Sequence, residues 1–245
     1  MENPTPSNYT YGDIAKMIDH SLLNPTLNAH DLEAGIDLAL AFDVASVCIL
    51  PYYLGRLADR LEGSTVQAST TIGFPHGGHR TDIKVDEAKR ALADGGQELD
   101  MVVNISQVLS GGWEYVREDI AAVTEVTHAA GQKVKVIFEN AYLNDDQKIR
   151  LCQICGELEV DWVKTSTGYA PSGATDDDLR LMRIHSPTGV QVKAAGGIRD
   201  FASLLRVREI GVTRVGASRT AEMLNECRAV LGLPVIESKA VGSGY

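Results

Sequence analysis

No stretch of this sequence approaches the roughly 20 apolar residues that a membrane-spanning helix needs. Nor does a basic segment followed by an apolar run and a small-residue cleavage site open it, so a soluble, cytoplasmic protein is expected. Basic residues are in the minority, 23 Lys and Arg against 33 Asp and Glu, for a formal net charge of -10. That balance argues against a general nucleic-acid surface but leaves room for a local phosphate site. Cysteines are few. Cys152 and Cys155 form one close pair, which shares an apolar helical face with Ile149, Ile154 and Leu158. With no second pair to complete a zinc site and no HExxH among the histidines, packed thiols are the better reading. The chain also lacks GxGxxG after an early strand, which leaves a dinucleotide fold without a positive signal. Its interior has no Pro-, Gly- or Ser-rich linker. Residues 1–245 therefore read as a single domain, with a short disordered start and a flexible tail from about 234.

What is present is a repeated alternation. Short β-branched runs fall near 17–22, 45–50, 65–73, 98–103, 133–138, 160–165, 189–195 and 212–216. Helical patterns separate most of them, at 28–42, 53–62, 84–94, 113–130, 145–158, 175–184 and 199–209, and a last helix covers 219–230. Asn28 is placed to cap the first of these helices. Asp200 opens a later one that buries Phe201, Leu204, Leu205 and Val207, and Gly211 can end it with a positive φ. VKVIF at 134–138 is apolar on both faces, as a parallel strand covered by helices would be. About eight strand–helix units predict a closed α/β barrel in preference to an open doubly wound sheet.

Three charged residues sit where barrel strands would end: Asp100 in ELDMVVN, Lys164 in VDWVKTSTG and Lys193 in VQVKAAGGIR. Each alone could be a solvated strand end. Together, on inward positions and followed by glycine-rich turns, they suggest two amines and a carboxylate converging on one cavity. An ordinary lysine is protonated at neutral pH and cannot attack a carbonyl. Burial and a second positive charge both disfavour its charged form, so Lys193 could leave Lys164 partly neutral and nucleophilic, with Asp100 handling protons. Two turns suit an anion: Ala195-Gly196-Gly197 before the Asp200 helix, and Gly216-Ala217-Ser218-Arg219-Thr220 after the last strand.

The segments IDHSLL (18–23), VCILP (47–51), TIGFPHG (71–77), ELDMVVN (98–104), KVIFE (135–139), VKTSTGY (163–169), VKAAGGIR (192–199) and RVGAS (214–218) resemble the deoxyribose-phosphate aldolases. These are class I aldolases on a TIM (β/α)8 barrel. The resemblance implies reversible cleavage of 2-deoxy-D-ribose 5-phosphate to acetaldehyde and D-glyceraldehyde 3-phosphate, as part of nucleoside and carbohydrate breakdown, with no metal or organic cofactor. It implies Lys164 as the Schiff-base lysine, Lys193 as its tuning neighbour and Asp100 as the proton-relay carboxylate. Gly196, Gly197, Gly216 and Ser218 match phosphate-binding positions, with Arg219 either joining them or turning outward. Asp19, Ser21 and Thr167 match the polar site around the sugar, Ser21 standing where the family commonly has Thr. Lys135 and Glu139, read as sharing a strand face, would support the proton network, and Cys48 occupies a strand-end position as a reactive or merely packed thiol. By the same resemblance Tyr245 would fold over the site and assist proton transfer. The partners implied are a sugar phosphate and acetaldehyde, and the chain would form a homodimer.

Rival readings on the same barrel are another Schiff-base lyase of phosphorylated sugars, a sugar-phosphate isomerase or synthase, and a non-catalytic metabolite-binding protein. The second lysine in VKAAGG argues against the first. The isomerase would want a carboxylate base and have no use for a buried Lys164, and the binding protein would tolerate a solvated one.

Overall fold

The computed structural model describes residues 9–237. All eight expected strands form: β1 (Ile18–Leu22), β2 (Ser46–Ile49), β3 (Gln67–Ile72), β4 (Glu98–Val102), β5 (Lys133–Ile137), β6 (Trp162–Lys164), β7 (Gln191–Ala195) and β8 (Arg214–Ala217). Each pairs in parallel with its sequence neighbours, and β1 pairs with β8 to close the barrel. The helices are α1 (Tyr11–Ala15), α2 (Ala29–Phe42), α3 (Leu54–Leu61), α4 (Thr81–Ala93), α5 (Ile105–Leu109), α6 (Trp113–Ala129), α7 (Asp145–Glu157), α8 (Asp176–His185), α9 (Phe201–Ile210) and α10 (Thr220–Val230). Sequence periodicity missed α1 and α5, both of five residues and too short to show a repeat.

Local chemistry sets the helix ends. The Asn28 side chain accepts a hydrogen bond from the Asp31 amide and the Asp31 carboxylate accepts one from the Asn28 amide, a capping box that opens α2. Asp200 accepts from the Ser203 amide at 2.7 Å, and Gly211 closes α9 at φ 101°. Of the apolar residues expected under α9, Leu205 is only half-buried, while Phe201, Leu204 and Val207 are sealed.

The strand register separates two faces of opposite character. One carries Ile18, Val47, Ile49, Leu99, Met101, Val134, Val136, Val163, Val192 and Val215, all fully buried in the apolar layer under the helices. Each such side chain contributes about 1.5–3 kcal/mol through loss of contact with water. On the other face, register links Asp19, Ser46 and Cys48 to Ser69 and Glu98, then Asp100 to Lys135 and Trp162, then Lys164 to Lys193 and Arg214. Arg214 on β8 bonds Glu98 on β4 at 2.7 Å, although those strands lie half a barrel apart. Such a contact can only run through the lumen. The barrel is therefore filled with paired charge where branched apolar residues usually dominate.

Beyond α10, Pro234 and Ile236 are tied back to that helix. Ile236 exchanges two hydrogen bonds with the Asn225 side chain, and Arg228 donates to the Pro234 carbonyl. The rest of the tail expected from about 234, residues 238–245, lies outside the described residues.

Candidate active site

β4, β6 and β7 bring Asp100, Lys164 and Lys193 together as the strand positions suggested. Asp100 Oδ2 lies 2.7 Å from Lys164 Nζ and 2.8 Å from Lys193 Nζ, and Oδ1 takes Lys135 Nζ at 2.7 Å. One carboxylate thus serves three amines, and all four side chains are buried. Burial alone would raise the Asp100 carboxyl, but the three ammonium groups outweigh it and hold it far below the carboxylate range. For Lys193, burial would lower the ammonium, but Asp100 and Asp19 together raise it. Lys164 goes the other way: burial lowers it, Asp100 opposes, and Lys193 adds to the lowering. Two lysines sharing one oxygen are driven apart, Lys193 toward charged and Lys164 toward neutral.

Above them lies a cavity of about 260 Å³ whose walls include Lys164, Lys193, Ser21, Cys48 and Thr167. Asp100 is not in its wall but fully buried behind the amines. Thr167 is held by Glu139, which accepts from both its amide and its hydroxyl. Burial raises the Glu139 carboxyl, with the Thr167 bonds and the nearby Lys164 charge opposing. Cys48 is 2 % exposed, and burial and then Asp100 raise its thiol, so it is no ready thiolate. His20, on the opposite strand face from Asp19, places Nδ1 2.8 Å from the Thr220 hydroxyl, and burial lowers it to about 4.

The cavity mouth is made by the two glycine turns. Gly196 and Gly197 have φ of 77° and 89°. A Cβ on Gly196 would come within 2.9 Å of the Gly173 Cα, so this close backbone approach admits only glycine. Gly216 and Ser218 also line the opening. Among the described residues no His, Cys, Asp or Glu group is arranged to hold a metal ion, and no described helix is long and apolar enough to cross a membrane.

This arrangement has relatives. The model of the DeoC/LacD family aldolases matches residues 14–223. The chain belongs to that family. It is 68% identical over 240 residues to a deoxyribose-phosphate aldolase of Rhodopirellula baltica, covering 98% of this chain and 100% of that protein. It is 43% identical over 208 residues to one of Thermococcus kodakarensis, covering 84% and 93%. A tetrameric deoxyribose phosphate aldolase of Aeropyrum pernix has the same fold, with a TM-score of 0.83 at 27% identity over 90% of this chain and 93% of that one.

In this DeoC/LacD aldolase several expected placements need revision. Arg219 does not join the anion turns; its guanidinium faces Glu222 at 3.2 Å from Nε, and the mouth is lined instead by Arg199. Arg199 stood in VKAAGGIR, one residue before the Asp200 cap, and helix-start geometry was signal enough to suggest it. Lys135 and Glu139 do not act as a pair. Lys135 points down the lumen to Asp100 and to Glu98 at 2.7 Å each, while Glu139, past the end of β5 at φ 60°, turns to Thr167. Asp19 lines the cavity but is mainly an ion partner, with Lys193 at 2.5 Å and Arg214 at 2.5 Å. Glu98 and Arg214 were missed altogether. Tyr245 lies outside the described residues.

Proposed function

We propose that this chain is a class I aldolase that reversibly cleaves 2-deoxy-D-ribose 5-phosphate to acetaldehyde and D-glyceraldehyde 3-phosphate, in the cytoplasm and as a homodimer. The observation that carries the reading is the single carboxylate of Asp100 shared by three amines, of which only Lys164 is both lowered in pKa and set in the cavity wall without a second carboxylate of its own. Its relatives named deoxyribose-phosphate aldolase supply the substrate class.

The chemistry runs through Lys164 Nζ. As a neutral amine it adds to the aldehyde carbon of the open-chain sugar, and loss of water gives a protonated imine. Removal of the proton from the C3 hydroxyl lets the C2–C3 bond break. Its electron pair moves toward the iminium, which leaves an enamine and frees glyceraldehyde 3-phosphate. A proton delivered to the enamine carbon, and then water, release acetaldehyde and restore the amine. Lys193 is the charged group beside these steps, and Asp100 stays ionised to hold the amines and the iminium in place and to orient the water that carries the proton. Thr167, fixed by Glu139, and Ser21 face the sugar hydroxyls. Gly196, Gly197, Gly216 and Ser218, with Arg199 at the rim, take the phosphate, whose dianion suits backbone N–H groups and a guanidinium.

Incubation with 2-deoxy-D-ribose 5-phosphate should release acetaldehyde and glyceraldehyde 3-phosphate in equal amounts. Release of neither, with the protein folded, would overturn the substrate assignment. Removal of Tyr245 alone should slow turnover and exchange of the acetaldehyde methyl protons with solvent while the melting temperature holds; equal rates would remove that residue from the site.

A further inference from the structure

The lumen beneath the cavity continues the ion network down to Arg214 and Glu98. Arg214, the first residue of β8, donates to Glu98 Oε1 at 2.7 Å and Oε2 at 3.0 Å, and also to Asp19 Oδ1 at 2.5 Å. Glu98 Oε2 takes Lys135 Nζ at 2.7 Å, and Lys135 in turn holds Asp100. The Trp162 ring stands beside them, 4.9 Å from the Arg214 guanidinium and 5.9 Å from Lys135 Nζ. Every carboxylate and every amine of this network is almost wholly buried, and Arg214 is nearly so, with 12% of its side chain exposed.

Counting charge along the network gives an imbalance. The carboxylates are Asp19, Glu98 and Asp100; the basic groups are Lys135, Lys164, Lys193 and Arg214. With every carboxylate ionised and every lysine protonated, the cluster holds one positive charge too many in a buried space, and an unmatched buried charge is a costly arrangement. Loss of one proton restores neutrality. Arg214 cannot give it up. Lys135 touches three carboxylates and Lys193 two, whereas Lys164 has only a share in Asp100.

We propose that Arg214, which never reaches the cavity, is a positioning residue that holds Lys164 in its neutral, nucleophilic form by supplying the surplus positive charge of the lumen, with its partner Glu98 acting as the opposing weight. The proposal rests on the reading of Lys164 as the reacting amine. The groups facing Lys164 are Asp19 from β1, Cys48 from β2, Asp100 and the deeper Glu98 from β4, Lys135 from β5, Lys193 from β7 and Arg214 from β8. Glu139 follows β5 with His76 near it, and Arg199 stands at the mouth. β3 offers no charged group on its inner face, only Gln67, Ser69 and Thr71. Removing Arg214 would let three carboxylates match three protonated lysines, so Lys164 would keep its proton to higher pH. Removing Glu98 would increase the positive excess and free Lys164 at lower pH.

The test is the pH profile of borohydride-trapped acetaldehyde imine on Lys164, mapped by peptide mass, in the full chain. Arg214→Met should move the acidic limb up by about one pH unit, a loss of about tenfold in trapping on that limb, with the high-pH plateau kept. Arg214→Lys should stay near the parent. Glu98→Gln should move the limb down, and Glu98→Gln/Arg214→Met together should return it to within a few tenths of a unit. A plateau lost at every pH in Arg214→Met, or a double variant worse than either single one, would reduce the pair to structural support and overturn the proposal. If Arg214→Met does not fold, Glu98→Gln decides alone: an unmoved or raised limb overturns it. Absence of any imine on Lys164 in the parent protein would instead refute the nucleophile itself, so the two failures are distinguishable.

Discussion

Lys84 and Lys164 are both buried against an aspartate, and they sit in different electrostatic company. Lys84 on α4 lies outside the barrel wall, with Nζ 2.5 Å from Asp119 Oδ2 and 2.9 Å from the Val102 carbonyl, while Thr81 donates to the other Asp119 oxygen. There is one amine for one carboxylate, both fully buried, and neither lines the cavity. Lys164 inside the barrel shares Asp100 with Lys135 and Lys193 and opens onto the cavity. Burial is common to both sites, so burial does not make a nucleophile. The difference lies in the ratio of amines to carboxylates and in access to substrate.

The comparison breaks first at Lys164. Lys164→Ala should lower turnover by about 10³-fold or more while melting is little changed, and intact turnover would end the assignment. Lys84→Met should do the reverse. It leaves Asp119 buried and unpaired, at a cost of about 3–5 kcal/mol in unfolding free energy, with kcat per folded molecule preserved. Lys84→Met/Asp119→Leu should recover most of that stability, and a loss of kcat in the stable double variant would blur the division between the two lysines. The smallest expected effect concerns tuning. Lys193 lowers the Lys164 ammonium, so its removal raises it, and the neutral amine then appears only at higher pH. Lys193→Met should therefore move the acidic limb of imine formation upward by about one pH unit. A limb that stays or moves downward would deny Lys193 the tuning role.

Much of the barrel was legible because its outer layer obeys simple patterning. The strand runs and the Asn28, Asp200 and Gly211 boundaries are local statements, and the structure keeps them. Asp100, Lys164 and Lys193 stood out because a charge at the end of an apolar run is conspicuous. Glu98 and Arg214 did not, since a charged residue at the start of a strand looks the same whether it faces water or a lumen half a barrel wide. Lys84 was invisible for a related reason: in TDIKVDEAKR it reads as one more charge on a solvated helix face, and only its pairing with Asp119 on α6 shows otherwise. For Arg219 two placements stood open; chain neighbours at a helix start point in different directions, and Glu222 one turn on claims its side chain, which is the outward one.

The most direct measurement is to incubate the protein with acetaldehyde, reduce with borohydride, and locate the added ethyl group by peptide mapping. One group per chain on Lys164, suppressed by 2-deoxy-D-ribose 5-phosphate and absent from Lys84 and Lys193, is the expected result. Label spread over surface lysines, or carried by Lys193 with Lys164 untouched, would contradict the claim that sharing one carboxylate among three amines makes Lys164 the nucleophile.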